Sequence, residues 1–239
     1  MGAGKGTRMK SNTAKVLHPV AGRPMVSWVL DAVAETDSVE TVVVVGHHGD
    51  AVRAILPADV GAAFQAEQLG TGHAALIGLD GLAPQPEDEI IVIPGDMPLV
   101  KGSTLNSLLA AHRQAGAAAT LMTVVLDEPR AYGRIIRSDG AVTAIVEVKD
   151  ATEEQLQISE VNPSVYVFSA TLLPDALERI GTANAQGEYY LTDVVGILVA
   201  DGHRIEAVIG DPEEGLGINS IDQISEVEDV LRKRGQGPL

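Results

Sequence analysis

The segment GAGKGTRM, at positions 2–9, combines three alternating glycines with basic side chains. Glycine lets the backbone approach a ligand closely, and successive exposed N–H groups form a concavity that binds anions. Ammonium and guanidinium groups beside such a loop supply the charge that phosphate oxygens attract. The nearby cations are Lys5, Arg8, Lys10 and Lys15. The pattern predicts a site for an oligophosphate, and the alternative is a glycine-rich turn of no function.

Two familiar phosphate-binding loops do not fit this segment. A P-loop has the pattern G-x-x-x-x-G-K-[ST], whereas here Lys5 precedes Gly6 and Thr7. A dinucleotide-binding loop has the pattern G-x-G-x-x-G, with an acidic residue about 20 positions later. Here the glycines alternate with single residues, and the next acidic residue, Asp31, lies within a predicted helix. The spacing therefore argues against both readings.

Charge is distributed unevenly along the 239 residues. Residues 1–30 contain five Lys or Arg and no Asp or Glu, so they carry +5 of a net charge of −16 and the remainder carries −21. A protein this acidic is poorly suited to broad contact with nucleic acid or with an anionic membrane surface. A single basic segment instead indicates a local site for a small polyanion, unless it is only a solvated basic terminus.

The composition indicates a globular protein with a substantial core, since 45% of the residues are hydrophobic and the mean hydropathy is +0.14. No apolar run approaches the roughly 20 residues that span a bilayer, and the first residues do not resemble a signal peptide. The absence of cysteine excludes disulfides and thiolate metal sites and is compatible with a reducing compartment. We expect a soluble, cytoplasmic protein.

Apolar runs rich in β-branched residues alternate with helical patterns in the first half of the chain. Short continuous apolar runs are typical of strands that are buried on both faces. Alternating strands and helices imply right-handed crossovers and an open, mostly parallel α/β sheet. The predicted elements are the helix PMVSWVLDAVAE, the strands TVVVVG and AAFQ, the helix GTGHAALIGL, the strand EIIVIPGD, the helix STLNSLLAAHRQAG and the strand ATLMTVVL.

The pattern changes from Tyr132 onward. The stretch GRIIRSDGAVTAIVEV predicts a β-hairpin with its turn at Asp139-Gly140, and EVNPSVYVF predicts one further strand. The remaining segments predict the helices ATLLPDALERI and YLTDVVGILVADG, the strand HRIEAVIG and the C-terminal helix IDQISEVEDVLRKR. We therefore expect one compact domain with an inserted antiparallel lobe.

The chain resembles the sugar-1-phosphate nucleotidylyltransferases through motifs that recur in order over nearly its whole length. Within that family it is most similar to the uridylyltransferase domains of the bacterial N-acetylglucosamine-1-phosphate uridylyltransferases. Each motif alone is weak, but QLGTGHA and EYYLTDV in this order are specific. The matching stretches are GAGKGTRM with the following S-x-x-x-K-V-L-H and GRPM, then QAEQLGTGHA, PGDMPL, YGRI, IVEVKDAT, EVN, NAQGEYYLTDV and GIN.

The resemblance implies a fold, a domain division and a reaction. The fold is a Rossmann-like doubly wound sheet with a nucleotide-binding part at about 1–126 and a sugar-binding part at about 127–220. Residues 221–239 form a helix that leads, in bifunctional members, to a left-handed β-helix. The reaction is Mg²⁺-dependent transfer of UMP from UTP to N-acetylglucosamine 1-phosphate, which releases pyrophosphate and supplies a cell-wall precursor.

The resemblance also implies roles for the residues that contact the phosphates and the metal. Arg8 matches the arginine that faces the leaving pyrophosphate, and Lys15 matches a lysine that contacts the phosphates. Asp96 follows a predicted buried strand and matches the aspartate that holds Mg²⁺, with Asn219 as the second ligand. In-line displacement between anions needs positioning and charge neutralisation more than a strong base. Taken alone, Asp96 reads more readily as a turn aspartate before Met97-Pro98.

Two further groups of residues match the positions that recognise the base and the sugar. Amide side chains suit uracil because an amide can pair with both a carbonyl and an N–H. Taken alone, Gly133, Glu147 and Asn162 also read as surface residues of a hairpin. Tyr190 and Thr192 read equally as helix-start packing and an N-cap. The nucleotide-binding residues are Ala3, Gly4, Lys15, Gln65, Gln68, Gly70 and Thr71. The sugar-binding residues are Gly133, Glu147, Asn162, Tyr190 and Thr192.

Several departures from the family pattern are visible. The apolar first strand that normally precedes the glycine loop is missing, and its loss exposes the edges of the neighbouring strands. Ala14 replaces a proline before Lys15, which leaves the lysine less constrained. Pro163-Ser164 replaces a small residue and glycine after Asn162, and the run after Asn219 lacks the usual arginine.

Other functions remain open at this point. One alternative is a related transferase that uses dTTP and glucose 1-phosphate, and another is a non-catalytic sugar-nucleotide-binding fragment that lacks the first strand. The β-helix that acetylates and trimerises the bifunctional members is absent, so we expect a homo-oligomer only where that domain is present. His47, His48 and His73 do not predict a metal site, because adjacent side chains diverge. The expected partners are therefore UTP, the sugar phosphate and Mg²⁺, with no nucleic acid and no membrane.

Overall fold

The computed structural model describes residues 13–129 and 131–236. A 3₁₀ turn, Lys15–Leu17, leads into a short antiparallel ribbon formed by β1 (Pro19–Val20) and β2 (Arg23–Pro24). Its turn residues, Ala21 and Gly22, both have positive φ, as a two-residue hairpin with right-handed twist requires. Helix α1 (Met25–Ala34) follows directly after Pro24, a residue suited to a helix start.

A parallel β–α–β–α unit comes next. Strands β3 (Thr41–Val45) and β4 (Val60–Phe64) pair in parallel with Val43 opposite Ala62, and the short helix α2 (Gly49–Arg53) connects them. Helix α3 (Thr71–Leu82) then crosses toward the main sheet. Sequence periodicity missed α2 because five residues are too few to show a helical repeat.

The main sheet begins with β5 (Glu89–Val92), and helix α4 (Gly102–Ala115) leads from it to β6 (Ala119–Val125). Strand β10 (Tyr166–Ser169) lies between β5 and β6 and is antiparallel to both, so β5 and β6 run in the same direction. Strand β11 (Ile205–Ile209) pairs in parallel with the other edge of β6. The parallel strands, with one reversed strand among them, confirm the predicted α/β class.

The inserted lobe extends this sheet. Strands β7 (Gly133–Ser138) and β8 (Ala141–Val146) form the predicted hairpin, with positive φ at Asp139 and Gly140 in the turn. Strand β9 (Glu160–Asn162) connects β7 to β6, and the four-residue helix α5 (Glu153–Leu156) precedes it. The lobe is therefore continuous with the main sheet through hydrogen-bonded strands.

The segment EVNPSVYVF forms two strands rather than the single strand expected. Both β9 and β10 pair with β6 in the antiparallel sense, but Val161 lies opposite Val124 while Tyr166 lies opposite Leu121. The register thus shifts by two residues across Pro163-Ser164. Proline cannot donate to the ladder and Ser164 has a φ of +67°, so the chain bulges at this point.

Helices cover both faces of the main sheet. The first face packs against α3 and two later helices, α6 (Leu173–Glu178) and α7 (Asp193–Ala200), and the opposite face packs against α1 and α4. Side chains of β5 alternate between the two layers, with Ile90 on the first face and Ile91 on the second. This arrangement is the doubly wound architecture expected from the sequence.

The C-terminal helix α8 (Ile221–Lys233) packs against the rest of the domain. Its buried residues Val227, Val230 and Leu231 join Met25 and Leu99 in one apolar cluster. The domain boundaries at 126 and 220 stay predictions. Within residues 13–129 and 131–236, no helix combines the length and apolarity needed to cross a membrane.

Candidate active site

Three predicted site residues from distant parts of the chain meet at one point. The Lys15 ammonium contacts the carboxylate of Asp96 and donates to Asn219 Oδ1 at 2.7 Å. The lysine and aspartate side chains are 13% and 18% exposed, so the ion pair is largely shielded from solvent but remains reachable. The cluster lies beyond the carboxyl end of β5, where open α/β sheets bind their ligands.

Local structure fixes each member of this cluster. Lys15 begins a 3₁₀ turn after the buried Ala14. The Asp96 carbonyl accepts from the Ile218 N–H at 2.9 Å, which ties the loop after β5 to the segment before α8. The Asn219 N–H donates to Gln223 Oε1 at 2.6 Å. These bonds bring together residues that are 81 and 204 positions apart in sequence.

The replacement of proline by Ala14 leaves the backbone in a proline-like conformation. Ala14 has φ −53° and ψ 135°, which a pyrrolidine ring also favours. A proline at this position would therefore fit the backbone that Ala14 already adopts.

The chemistry of the cluster suits a hard cation. A carboxylate oxygen and an amide oxygen already hold the Lys15 ammonium between them. Mg²⁺ prefers oxygen ligands and commonly takes only one or two from protein, with waters and phosphates completing its shell. Among the residues that the structure describes, no group of three His, Asp or Glu is placed to hold a metal. Asp96 and Asn219 therefore fit the magnesium ligands that the resemblance implies.

The predicted base-binding residues form a loop held by its own amides. Gln65 is only 2% exposed, and its Nε2 donates to His73 Nδ1 at 3.0 Å and to the Gly70 carbonyl at 3.3 Å. Gln68 Nε2 donates to the Gln65 carbonyl at 3.0 Å. Both amide groups therefore donate hydrogen bonds within the loop and stabilise its conformation. His73 therefore helps to fix this loop by accepting a hydrogen bond from Gln65.

The loop around Gly70 is locked to the loop around Tyr189. The Tyr189 N–H donates to the Leu69 carbonyl at 2.8 Å, and the Tyr189 carbonyl accepts from the Gly72 N–H at 2.8 Å. Gly70 has φ +122°, and a Cβ there would lie 2.7 Å from Tyr189 N. Thr71 Oγ1 accepts from the Leu191 N–H at 2.9 Å. The motifs QLGTGHA and EYYLTDV are therefore two halves of one substructure.

Glu147 and Thr192 face each other in the lobe. Thr192 Oγ1 donates to Glu147 Oε1 at 3.3 Å. Burial raises the pKa of Glu147 above its usual 4.5, with the charges of Asp150 and Asp193 adding to the rise and the Thr192 hydrogen bond opposing it. The protein thus holds a carboxylate in a place that disfavours its charge, as binding sites often do.

Asn162 is fixed between two neighbours. Its Nδ2 donates to the Tyr166 hydroxyl at 2.7 Å, and its Oδ1 accepts from the Ser164 N–H at 3.0 Å. Gly133 lies directly opposite Asn162 in the ladder, and a Cβ on Gly133 would lie 3.7 Å from the Glu147 carboxyl carbon. Gly133, Glu147, Asn162 and Thr192 are therefore neighbours through successive contacts.

Tyr190 is buried at 6% exposure, and its hydroxyl makes no hydrogen bond of good geometry within the described part of the chain, although Gln186 and Asp150 lie near it and burial raises its pKa. Leaving a buried hydroxyl unpaired costs on the order of 1–3 kcal/mol. Such a group on the segment that carries Thr192 is suited to a polar ligand.

Sequence reasoning missed two residues that hold the site together. Tyr166 anchors Asn162, and the Tyr132 hydroxyl accepts from the Gly217 N–H at 3.1 Å, next to the segment that carries Asn219. For Tyr166, the only signal in the sequence was its position four residues after Asn162. The remaining predicted residues Ala3, Gly4 and Arg8 lie outside the described residues. The functional roles assigned to all these residues stay predictions.

The chain is similar to long curated relatives and to solved transferase structures. It is 49% identical over 236 residues to the Bifunctional protein GlmU of Heliobacterium modesticaldum, and 48% identical over 240 residues to that of Streptomyces griseus. Each match covers 98% of this chain but only 51% and 50% of the relative, so the chain spans about half the length of these relatives. The motif resemblance to the nucleotidylyltransferases is thereby confirmed.

Two solved structures share the fold at low identity. A protein described as a glucose-1-phosphate thymidylyltransferase from Bacillus anthracis aligns with a TM-score of 0.75 and 16% identity, covering 97% of this chain and 93% of that one. An apo UDP-glucose pyrophosphorylase aligns with a TM-score of 0.77 and 15% identity, covering 98% and 97%. Residues 1–190 match the MobA-like NTP transferase domain. The chain therefore belongs to the MobA-like NTP transferase domain family and is a nucleotidyltransferase domain.

Proposed function

We propose that this domain transfers UMP from UTP to N-acetylglucosamine 1-phosphate, giving UDP-N-acetylglucosamine and pyrophosphate. The observation that carries the proposal is the meeting of Lys15, Asp96 and Asn219 beyond the carboxyl end of β5. A cation and two cation-binding oxygens at that edge suit a reaction between phosphates. The product is a cell-wall precursor, and we place the reaction in the cytoplasm.

The proposed reaction is an in-line displacement at phosphorus. A phosphate oxygen of the sugar 1-phosphate forms a bond to the α-phosphorus of UTP, and the bond from that phosphorus to the bridging oxygen of the β-phosphate breaks. Pyrophosphate leaves with the bonding electrons. The attacking oxygen is already anionic, so no strong base is needed. The protein contributes alignment of the two anions and stabilisation of the charge between them.

Lys15 is the described cation best placed for this task. Its ammonium is largely shielded and lies beside Asp96, and it would neutralise charge on phosphate oxygens bound next to that carboxylate. Asp96 and Asn219 would hold Mg²⁺, which when bound neutralises charge on the phosphate oxygens. Arg8, outside the described residues, is proposed to face the pyrophosphate.

The amide loop supports recognition of uracil. Gln65 spends both of its N–H donors on the loop and Gln68 spends one, which leaves the two amide oxygens and one N–H of Gln68 for a base edge. Gly70 holds this loop in place, since nothing larger than glycine fits against the backbone of Tyr189. Ala3 and Gly4 are proposed to lie against the nucleoside.

The space between the lobe and the Tyr189 loop supports binding of the N-acetylhexosamine. Glu147 accepts hydrogen bonds from hydroxyls, while Asn162 both donates and accepts. Thr192 and the unpartnered hydroxyl of Tyr190 add two more polar groups. A sugar offers several donors and acceptors to such a set.

Pyrophosphate release, measured for each pairing of four nucleoside triphosphates with several sugar 1-phosphates, tests the proposal. We expect the highest kcat/KM with UTP and N-acetylglucosamine 1-phosphate, and no turnover after removal of divalent cations. A clear preference for dTTP and glucose 1-phosphate would assign the related thymidylyltransferase reaction instead. Calorimetric binding of UTP without any turnover would favour a non-catalytic binder.

A further inference from the structure

Two neighbours hold the side-chain amide of Gln65 in the candidate site. Gln65 is 2% exposed, and its backbone N–H donates to the Val45 carbonyl at 2.8 Å, which ties it to the end of β3. Its side-chain nitrogen Nε2 lies 3.3 Å from the Gly70 carbonyl oxygen and 3.0 Å from Nδ1 of His73. Both contacts use the nitrogen end of the amide, so its oxygen points elsewhere.

The Gly70 carbonyl decides which way this amide points. A carbonyl oxygen only accepts hydrogen bonds, so the amide nitrogen of Gln65 must face it rather than the amide oxygen. The second N–H of that nitrogen is then directed at His73, whose Nδ1 has to accept it. Nδ1 accepts only in the neutral ring that carries its proton on Nε2. The loop therefore selects one orientation of the amide and one tautomer of the histidine together.

The start of helix α3 holds His73 in place. His73 is the third residue of this helix. The next residue, Ala74, donates its backbone N–H to the Gly70 carbonyl at 3.1 Å, and its side chain packs against Val44 of β3. The imidazole ring is therefore presented to Gln65 from a helix that is fixed at its first turn.

The amide oxygen is the group that Gln65 presents to a ligand. Within residues 13–129 and 131–236, Oε1 of Gln65 accepts no hydrogen bond from the protein. In the same part of the chain, the fully buried side-chain atoms that lack a hydrogen bond of good geometry are Nε2 of His18 and the hydroxyl of Tyr190. Oε1 of Gln65 is not among them, so part of its surface stays open to a ligand.

An amide oxygen that cannot rotate away distinguishes two classes of pyrimidine. Uracil and thymine carry an N3–H, which donates a hydrogen bond to such an oxygen. Cytosine has an unprotonated N3, which is itself an acceptor. Two acceptors that face each other are both left unpaired once water is excluded, and an unpaired buried polar group lowers affinity. A fixed Gln65 oxygen therefore favours the bases that have an N3–H.

We propose that His73 is a positioning residue that makes the site specific for uracil and thymine over cytosine. It acts through Gln65, because its Nδ1 accepts the shorter of the two hydrogen bonds that fix the amide. Without that acceptor, only the longer bond to the Gly70 carbonyl would oppose rotation of the amide. The inference rests on the binding of a nucleoside base at this loop, as proposed above, but not on the identity of the sugar phosphate.

Calorimetric titration without a sugar phosphate measures this base preference directly. The two matched pairs of ligands are UTP with CTP and dTTP with 5-methyl-dCTP, because the members of each pair differ only in the hydrogen-bonding edge of the base. In at least one pair, we expect the wild-type chain to bind the nucleotide that has an N3–H at least about tenfold more tightly. Equal affinity within both pairs, or no binding of any of the four nucleotides, would overturn the proposal.

Two substitutions of His73 separate positioning from a purely structural role. His73→Phe keeps an aromatic ring without an acceptor and should reduce the affinity ratio within the preferred pair at least about fivefold. His73→Asn supplies an acceptor oxygen close to the position of Nδ1 and should restore most of the ratio. His203→Phe, the same change at an exposed histidine after α7, is the matched control and should keep the wild-type ratio. An unchanged ratio in His73→Phe would contradict the inference, since a structural role weakens the binding of both nucleotides alike.

The tautomer of His73 gives a second measurement that needs no stable His73→Phe variant. In a chain with ¹⁵N-labelled histidine, we expect the His73 resonances of the neutral ring to show an unprotonated Nδ1 and a protonated Nε2. The six histidines are separated by comparison with His73→Asn, which lacks the His73 signals. A proton on Nδ1 would overturn the proposal.

The outcomes also distinguish this inference from the proposed uridylyl transfer. A preference for dTTP that His73→Phe abolishes would contradict uridylyl transfer and support the role of His73. A preference for UTP that His73→Phe leaves unchanged would contradict the role of His73 alone.

Discussion

At the scale of single residues, Asp96 is the position on which the proposed chemistry depends most. Its carboxylate accounts for most of the negative charge beside Lys15, and a neutral amide there would bind neither ammonium nor Mg²⁺ as well. The ion pair is largely shielded from solvent, so a neutral residue at position 96 would leave the Lys15 ammonium without its anionic partner and is expected to cost some stability.

Asp96→Asn should therefore lower kcat by at least about 10²-fold, a loss typical of removing one charge-stabilising group, while the protein stays folded at the assay temperature despite a lower melting temperature. Asp80→Asn, an equivalent change at an exposed position on α3, is the matched control and should leave turnover unchanged. Retained activity in Asp96→Asn would remove this residue from the metal site.

Glu147 should link stability to pH. Because burial raises its pKa in the folded state, its favourable contribution is complete below the usual value of 4.5 and is lost as pH rises through the elevated folded value. Glu147→Gln should accordingly raise the melting temperature at pH 7 but not at pH 4, and weaken sugar phosphate binding. An equal change at both pH values would argue against a buried, destabilised carboxylate.

Ser164 stores backbone strain next to Asn162. A side chain at φ +67° costs roughly 1–2 kcal/mol relative to the ordinary regions, whereas glycine adopts this conformation readily. Ser164→Gly should be more stable to urea than Ser164→Ala by about 1 kcal/mol. Both variants lack the hydroxyl, so the difference isolates the backbone; identical midpoints would contradict this reading.

At the scale of elements, the sequence predicted the helices and strands that have strong periodicity. It failed where the bounds of a strand depend on its pairing with a distant strand. The strand EVNPSVYVF divides because β9 and β10 meet β6 in registers that differ by two residues, and no local pattern reveals the register of a distant partner. Motif resemblance paired Asp96 with Asn219 as metal ligands, but the contact of both with Lys15 appears only in the structure, because these residues are far apart in sequence.

Gly70 couples the two loops that are proposed to carry base and sugar recognition. Gly70→Ala would combine backbone strain at φ +122° with a collision against Tyr189, so we expect a loss of more than about 2 kcal/mol and weakened UTP binding. Gly140→Ala provides the control: it also has positive φ but meets nothing within 4 Å. A similar loss in both would show that strain alone matters and that the loop contact does not.

At the scale of the whole molecule, the domain combines a doubly wound sheet with a continuous antiparallel lobe, and the candidate site lies where they meet. The net charge of −16 is offset locally by cations near the amino terminus, which suits small anionic substrates. The alternating pattern of elements predicted the α/β sheet, and the basic segment predicted a site for small anions.

The most direct measurement follows the phosphorus atoms of UTP. With UTP labelled at the α-phosphate and N-acetylglucosamine 1-phosphate as acceptor, we expect the label to appear in UDP-N-acetylglucosamine, while label at the γ-phosphate should appear in pyrophosphate. Absence of α-label in the sugar nucleotide, or faster transfer from dTTP to glucose 1-phosphate, would contradict the proposed uridylyl transfer.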